Sequence, residues 1–234
     1  MDNILIILTC TVHINPGKIF LHQTDANQRL VCYLKSIIQW LEKTPFRICV
    51  VENSGYTFPE LANYIATYEK RFEIISYNET ALTAEQNYNV NNSKGYSELY
   101  AINYAYNNTK FKPTTDLVIK ITGRYFIQDL EEFLKKSMIH IKTKERGYYN
   151  SDVRTLALRQ NAHARCEMLG SHVDMFPFIF NTNLYNYDGG FHGHVESVYK
   201  NRIKCLNPLN ILTCKEFKIE TTKRGGDEGC FTTI

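Results

Sequence analysis

Four stretches of the chain carry apolar residues in nearly unbroken runs, each followed by polar or turn-forming residues. Asn3–Thr9 (NILIILT) leads into Thr9-Cys10-Thr11, Arg47–Val51 (RICVV) into Glu52-Asn53-Ser54-Gly55, and Phe72–Ser76 into an Asn-rich segment. Asp116–Phe126 (DLVIKITGRYF) holds Leu117, Val118, Ile119 and Ile121 ahead of Thr122-Gly123-Arg124. Runs that are apolar on both faces mark strands covered by helices on both sides. Between them the period changes. Leu30, Leu34, Ile37, Ile38 and Leu41 recur at helical spacing behind Asp25 or Asn27 as cap, and the helix runs through Lys43. Pro59 opens a second helix to about Lys70. Ser97–Asn107 (SELYAINYAYN) and Asp129–Met138 are further helices.

This alternation predicts an α/β fold, a Rossmann-like, mostly parallel central sheet flanked by helices. The second half is less regular. Ile139–Lys142 is expected as an edge strand, and Arg154–Leu158 and Met175–Phe180 as strands, the last with Pro177 at an edge or bulge. Val195–Cys205 reads as a helix, and Leu209–Thr213 and Phe217–Glu220 as short strands. Asn78–Ser93 is expected to be a mobile loop over the strand ends, and Thr221–Ile234 a flexible tail. No repeat or linker divides the chain, so 1–234 is read as one domain with halves 1–127 and 128–234.

Composition narrows this only slightly. With 44% hydrophobic and 22% charged residues the chain is ordinary for a globular protein, and a net charge of +3 is too small to argue for nucleic acid. Seven scattered cysteines form no CxxC pair, and Cys32 and Cys49 lie in apolar runs, as buried thiols of a reducing compartment would. Ile4–Leu8 is too short for a membrane span and no basic region precedes it, so the expectation is a soluble cytoplasmic protein. GxGxxG, GxxxxGK[ST] and GxSxG are all absent, against a dinucleotide enzyme, a P-loop kinase and the commonest hydrolases.

The chemistry concentrates at the strand ends. Ligands of open α/β sheets bind there, so Thr9/Thr11, Glu52/Asn53 and Thr122-Gly123-Arg124 are expected to converge on one edge. Arg124 suits a diphosphate, because a guanidinium makes paired, charge-assisted bonds to phosphate oxygens; a salt bridge to Asp129 or Glu131 is the alternative. Lys94-Gly95 precedes a helix N-terminus, a favourable anion site. Lys120 interrupts its apolar run, where an unpaired ammonium costs several kcal/mol to bury. It must reach either the site or a buried acid such as Glu98.

The VVENSG strand end, the KGYSELYAINYAY helix and DLVIKITGRYF together resemble small GT-A glycosyltransferases of large DNA viruses and bacterial polysaccharide clusters, over roughly residues 3–127 with a looser match around Glu196. The resemblance implies a nucleotide-diphosphate sugar donor at the carboxyl edge of the sheet and a glycan or glycoprotein acceptor. It implies a hexosyl- or pentosyltransferase that needs no nucleic acid. Thr9, Thr11, Glu52 and Asn53 would then hold base and ribose. Lys94, Gly95, Thr122, Gly123, Arg124 and the tail pair Lys223-Arg224 would hold the diphosphate. Such enzymes carry an Asp-x-Asp metal site after this strand; Thr122-Gly123-Arg124 stands there instead, so the expectation is fixed positive charge and no required metal. Glu196, after the loop Gly189–His194, is the candidate base of an inverting transfer, with Asp174 and Asp188 in reserve. His194 and Asp174 are candidate acceptor contacts, and His192-x-His194-x-Glu196 is an alternative metal cluster. A catalytically inactive sugar- or nucleotide-sugar-binding protein of the same fold is the other reading.

Overall fold

The computed structural model describes residues 3–16, 18, 21–82, 94–142, 155–160, 163–182, 195–208, 211–214, 216–223 and 229–234. The four apolar runs are strands: β1 (Ile4–Cys10), β2 (Arg47–Glu52), β3 (Phe72–Ser76) and β4 (Leu117–Thr122). They lie parallel in the order β3-β2-β1-β4 and continue through β6 (His163–His172), β5 (Thr155–Gln160) and β7 (Ile211–Cys214), a seven-stranded sheet in which β6 alone is antiparallel. The expected mostly parallel α/β sheet is therefore present.

Residues of a strand alternate between faces. Ile4, Ile6, Leu8, Ile48, Val50, Ile119 and Ile121 pack on one face with Tyr33, Ile37, Trp40 and Leu41 of α1 (Ala26–Lys43). Leu5, Ile7, Cys49, Val51 and Val118 pack on the other with Leu99, Ile102 and Ala105 of the helix Lys94–Asn108. Asp25 caps α1, its carboxylate accepting from Gln28 N at 2.7 Å. Pro59 opens a short 3-10 turn that passes into α2 (Ala62–Thr67), and the helix Lys94–Asn108 is α3.

Several expectations are corrected. Residues 139–142 continue α4 (Leu130–Lys142) rather than forming a strand. No Gly or Pro interrupts the helix, and Glu131–Lys135 and Glu132–Lys136 bridge successive turns at 2.6 Å. Met175–Phe180 is likewise not a strand. Val173–Met175 forms a 3-10 turn and Phe176–Ile179 the short helix α5, where Pro177 sits in the first turn and needs no N–H partner. Val195–Lys204 is α6.

The tail is not loose where it is described. β8 (Lys218–Lys223) pairs antiparallel with β9 (Cys230–Thr233), Phe217 and Ile234 exchange backbone hydrogen bonds, and Ile234 is buried. Glu220 ties this hairpin to α1 through Lys35 at 2.6 Å and Gln39 at 2.7 Å. The start of the expected Asn78–Ser93 loop is also packed: Asn78 bridges to Ser54 and Glu79 is buried, while residues 83–93 lie outside the described ones. Cys49 is buried as expected, but Cys32 is only half-buried. No helix among the described residues is long and apolar enough to cross a membrane.

Candidate functional site

The register aligns the strand ends. Thr9 pairs with Thr122, Cys10 with Glu52, and Glu52 with Ser76, so the polar residues after β1, β2 and β4 do meet at one edge. Gly123 makes this possible at the centre. Its N donates to Thr9 O at 2.9 Å, and a Cβ there would lie 2.4 Å from Cys10 Sγ and 2.8 Å from Thr9 O. The turn after β4 is then fixed from α1, since the buried Trp40 indole donates to Tyr125 O at 2.9 Å and packs edge-on against Phe126. Arg124 leaves this turn and donates from Nη1 to Gln23 Oε1 and to Lys223 O, both at 3.2 Å. Among the described residues no salt bridge joins it to Asp129 or Glu131, whereas β8 is brought directly beside it.

On the β2–β3 side the residues form a closed network. Glu52 is fully buried, and its carboxylate accepts from the N–H groups of Val12 (2.8 Å), Ser54 (2.9 Å) and Tyr56 (2.8 Å) and from the Ser54 hydroxyl. Its expected contact with base or ribose is therefore corrected: the side chain is consumed in shaping the loops after β1 and β2. Asn53 accepts from Thr11 Oγ1 at 2.5 Å and donates to Glu79 Oε2 at 3.1 Å and Ser97 Oγ at 3.0 Å, so this buried amide too is spent inside the protein and its expected contact with base or ribose is likewise corrected. Ser97 also donates to Glu79, and Lys18 pairs with Glu79 at 3.6 Å. Burial pushes the Lys18 ammonium below its usual range, against the pull of Glu79.

On the β4–β6 side a second ion pair is buried. The period of two that puts Val118 on the α3 face puts Lys120 and Thr122 there as well. Lys120 Nζ lies 2.6 Å from Glu98 Oε1, donates to Thr122 Oγ1 at 3.3 Å, and donates to Cys166 O on β6. These three acceptors match the three protons of an ammonium. Thr9 Oγ1 donates to the same Glu98 Oε1 at 2.9 Å. Of the two destinations open to Lys120, the acid Glu98 is the one it takes.

The second half of the chain reaches the edge through α6. A Cβ on Gly95 would lie 2.7 Å from Val195 Cγ1 and 2.8 Å from Val195 Cβ, so the first turns of α3 and α6 touch there. Lys94 and Glu196 are the chain neighbours of the two residues that meet there. Burial raises the Cys166 thiol well above its usual range, and the negative charge of Glu196 adds to this, as does that of Glu98. Asp174 is corrected as an acceptor contact. β6 runs antiparallel, His172 pairs with Leu117 at the start of β4, and Asp174 therefore lies at the opposite edge beside His172. His194, Asp188, His192 and Arg224 lie outside the described residues. The end of β4 does not fit the metal that the resemblance implies. It offers a hydroxyl, a glycine backed by Cys10, and a guanidinium that would repel a dication.

Three solved structures are distantly similar to the chain. One, described as a nucleotide-diphospho-sugar transferase from Desulfovibrio desulfuricans G20, is 13% identical at a TM-score of 0.47, over 92% of this chain and 80% of its own. A cytidylyltransferase from Leptospira borgpetersenii is 14% identical at 0.41 (92% and 76%), and residues 1–349 of TarS from S. aureus are 11% identical at 0.40 (92% and 58%). No family model and no curated protein sequence matches the chain. The chemistry therefore rests on this chain's own residues.

Some of those residues escape a sequence reading. Lys18, Glu79 and Ser97 come together from a loop, a 3-10 turn and α3, and nothing local marks them as partners. Arg29 is more legible in hindsight. It and Tyr33 sit one turn apart on the buried face of α1, and Arg29 donates to Thr11 O (2.6 Å), Gln23 O (3.0 Å) and Tyr33 Oη (2.8 Å), fixing the loop after β1. An arginine one turn before a tyrosine on the buried helix face is the available signal.

Proposed function

We propose that this protein is a glycosyltransferase that moves a sugar from a nucleotide-diphosphate sugar to a glycan hydroxyl, with inversion and without a required metal. The observation that supports the reading is the close approach of Gly95 to Val195, the chain neighbours of Lys94 and Glu196, near the polar edge formed by Thr9, Thr122 and Gly123. A carboxylate and fixed cations at one strand edge are the two things an inverting transfer needs. The carboxylate takes the proton of the attacking hydroxyl, and the cations hold the departing diphosphate.

The roles follow from position. Thr11 forms the wall for base and ribose, with the buried Asn53 holding it from behind through Glu79 and Ser97 and Glu52 holding the loops. Lys94 with the α3 N-terminus, and Arg124 with Lys223 and Arg224, take the diphosphate. His194, two positions before Glu196 in the chain, is retained as an acceptor contact. Glu196 removes the acceptor proton as the new C–O bond forms and the bond to the diphosphate oxygen breaks.

The test is a panel of UDP-, GDP- and CMP-sugars in thermal shift with and without Mn²⁺, followed by nucleotide release in excess EDTA. The expected result is a stabilised melt with one donor and full turnover in EDTA. Glu196→Gln should lower turnover about 10²–10⁴-fold while keeping donor affinity. Strict Mn²⁺ dependence would sink the metal-independent part, and sugar binding with no nucleotide release from any acceptor would sink the transfer.

A further inference from the structure

The Lys120–Glu98 pair has one feature that a purely structural ion pair lacks. The Lys120 side chain is 1% exposed, whereas that of Glu98 is 21% exposed. Both bonds to Glu98, from Lys120 and Thr9, fall on Oε1, and Oε2 has no partner among the described residues. A carboxylate locked through one oxygen and open through the other is a preorganised acceptor of hydrogen bonds.

Its position decides what it can accept from. Ser97 and Glu98 are consecutive on α3 but turn to different sides: Ser97 joins the Asn53–Glu79 network beside β2 and β3, and Glu98 joins Thr9 of β1 and Lys120 of β4. Glu98 also follows Gly95 by three residues, so the two share a helix face, the one that meets α6 at Val195. Glu98 thus lies between the end of β4 and the first turn of α6, where Glu196 stands. Both carboxylates are close enough to Cys166 and Tyr199 to act on their charge states. Anything bound between them is beyond the base-binding wall and adjacent to the proposed proton acceptor.

Resting on the nucleotide-sugar reading, we infer that Glu98 is the residue that binds a hydroxyl of the transferred sugar, through Oε2, and that Lys120 is the positioning residue that makes this possible. Lys120 does two things. It fixes the carboxylate rotamer through Oε1, and it cancels the negative charge that would otherwise repel a diphosphate at the same edge. Thr9 completes the clamp. The pair therefore selects a donor that presents a hydroxyl donor at this position, and it does so without contacting the nucleotide.

The experiment compares sugar nucleotide with bare nucleotide by calorimetry, using UDP-glucose against UDP and GDP-mannose against GDP. The variants are Glu98→Gln and the double variant Glu98→Ala/Lys120→Met, the second leaving no unpaired buried charge if the first folds poorly. The expected result is a loss of about tenfold or more in affinity for the sugar nucleotide that the wild type binds, with its nucleoside diphosphate held within about twofold. Unchanged affinity for that sugar nucleotide in both variants overturns the inference and leaves the glycosyltransferase reading standing. Equal loss for nucleotide and sugar nucleotide also overturns it, because Glu98 would then be shaping the whole edge. A wild type that binds none of these compounds and no member of the UDP-, GDP- and CMP-sugar panel removes the nucleotide-sugar reading itself, and the inference with it.

Discussion

Two buried lysine–glutamate pairs stand on either side of β1, and they are built differently. In Lys18–Glu79 the side chains are 7% and 3% exposed, and Glu79 also receives Asn53 and Ser97. In Lys120–Glu98 the lysine is sealed at 1% but the acid reaches solvent at 21%, with one oxygen unengaged among the described residues. Both obey the rule that a buried ammonium must find an acid. The first is closed on itself and holds β2, β3 and α3 in register. The second ends at an open face and presents a carboxylate there. The same ion pair thus serves as an internal brace in one place and as a support for a binding group in the other.

That contrast predicts different responses to losing the acid. Glu79→Ala removes the acid that Lys18, Asn53 and Ser97 share in a closed site, so it should cost about 3–5 kcal/mol in urea unfolding. Glu98→Ala should cost less, about half of that or below, because water can enter from the open side and Lys120 keeps Cys166 O and Thr122 Oγ1. Equal losses for the two variants would erase the distinction. Between them in expected size is Gly123→Ala. Its added Cβ would fall on Cys10 Sγ and Thr9 O, atoms held in the sheet, and overpacking of this kind costs about 1–3 kcal/mol. Because the strain sits where the networks meet, this variant should weaken nucleotide binding as well as lower the melting temperature.

How much of this could be read from the chain depends on distance along it. β1, β2 and β4 were legible because each is covered on both faces and so carries a nearly continuous apolar run, and the edge strand β3, Phe72–Ser76, matches the expected bounds although it is mostly half-buried. β6 was not, because His163–His172 has no apolar run to mark it and its place is set by pairing with β4 and β5. Without β6 Asp174 was misplaced as well, since a residue after an antiparallel strand arrives at the far edge. At the site, Lys120 was legible as a problem, because a lone lysine in LVIKIT demands a partner. Its solution, Glu98, was only a candidate until the register set Lys120 on the α3 face. Glu52 was misread for a related reason: an acid at a strand end can face a ligand or fold back onto loop amides, and only the path of residues 11–13 and 54–56 decides which.

The smallest expected effect concerns protons, and it separates the brace from its surroundings. Burial lowers the folded-state pKa of Lys18 below its unfolded value of 10.5, with Glu79 only partly offsetting this. Between the two values the unfolded chain binds more protons at this site, so the lysine's contribution to stability rises with pH across that window. It is fully present above the unfolded value and is lost as pH falls through the depressed folded value. Cys10, Cys49 and Cys166 act in the opposite sense, because burial raises their thiols and favours unfolding as pH rises past the usual thiol range. The raw pH profile therefore mixes signs, and the informative quantity is the difference between wild type and Lys18→Met, measured by urea unfolding at steps from pH 8 to about 10.5. That difference should grow in favour of the wild type as pH rises. A difference that stays flat would mean the Lys18 ammonium is solvated in the folded protein, and the closed side of the comparison would then be as open as the other.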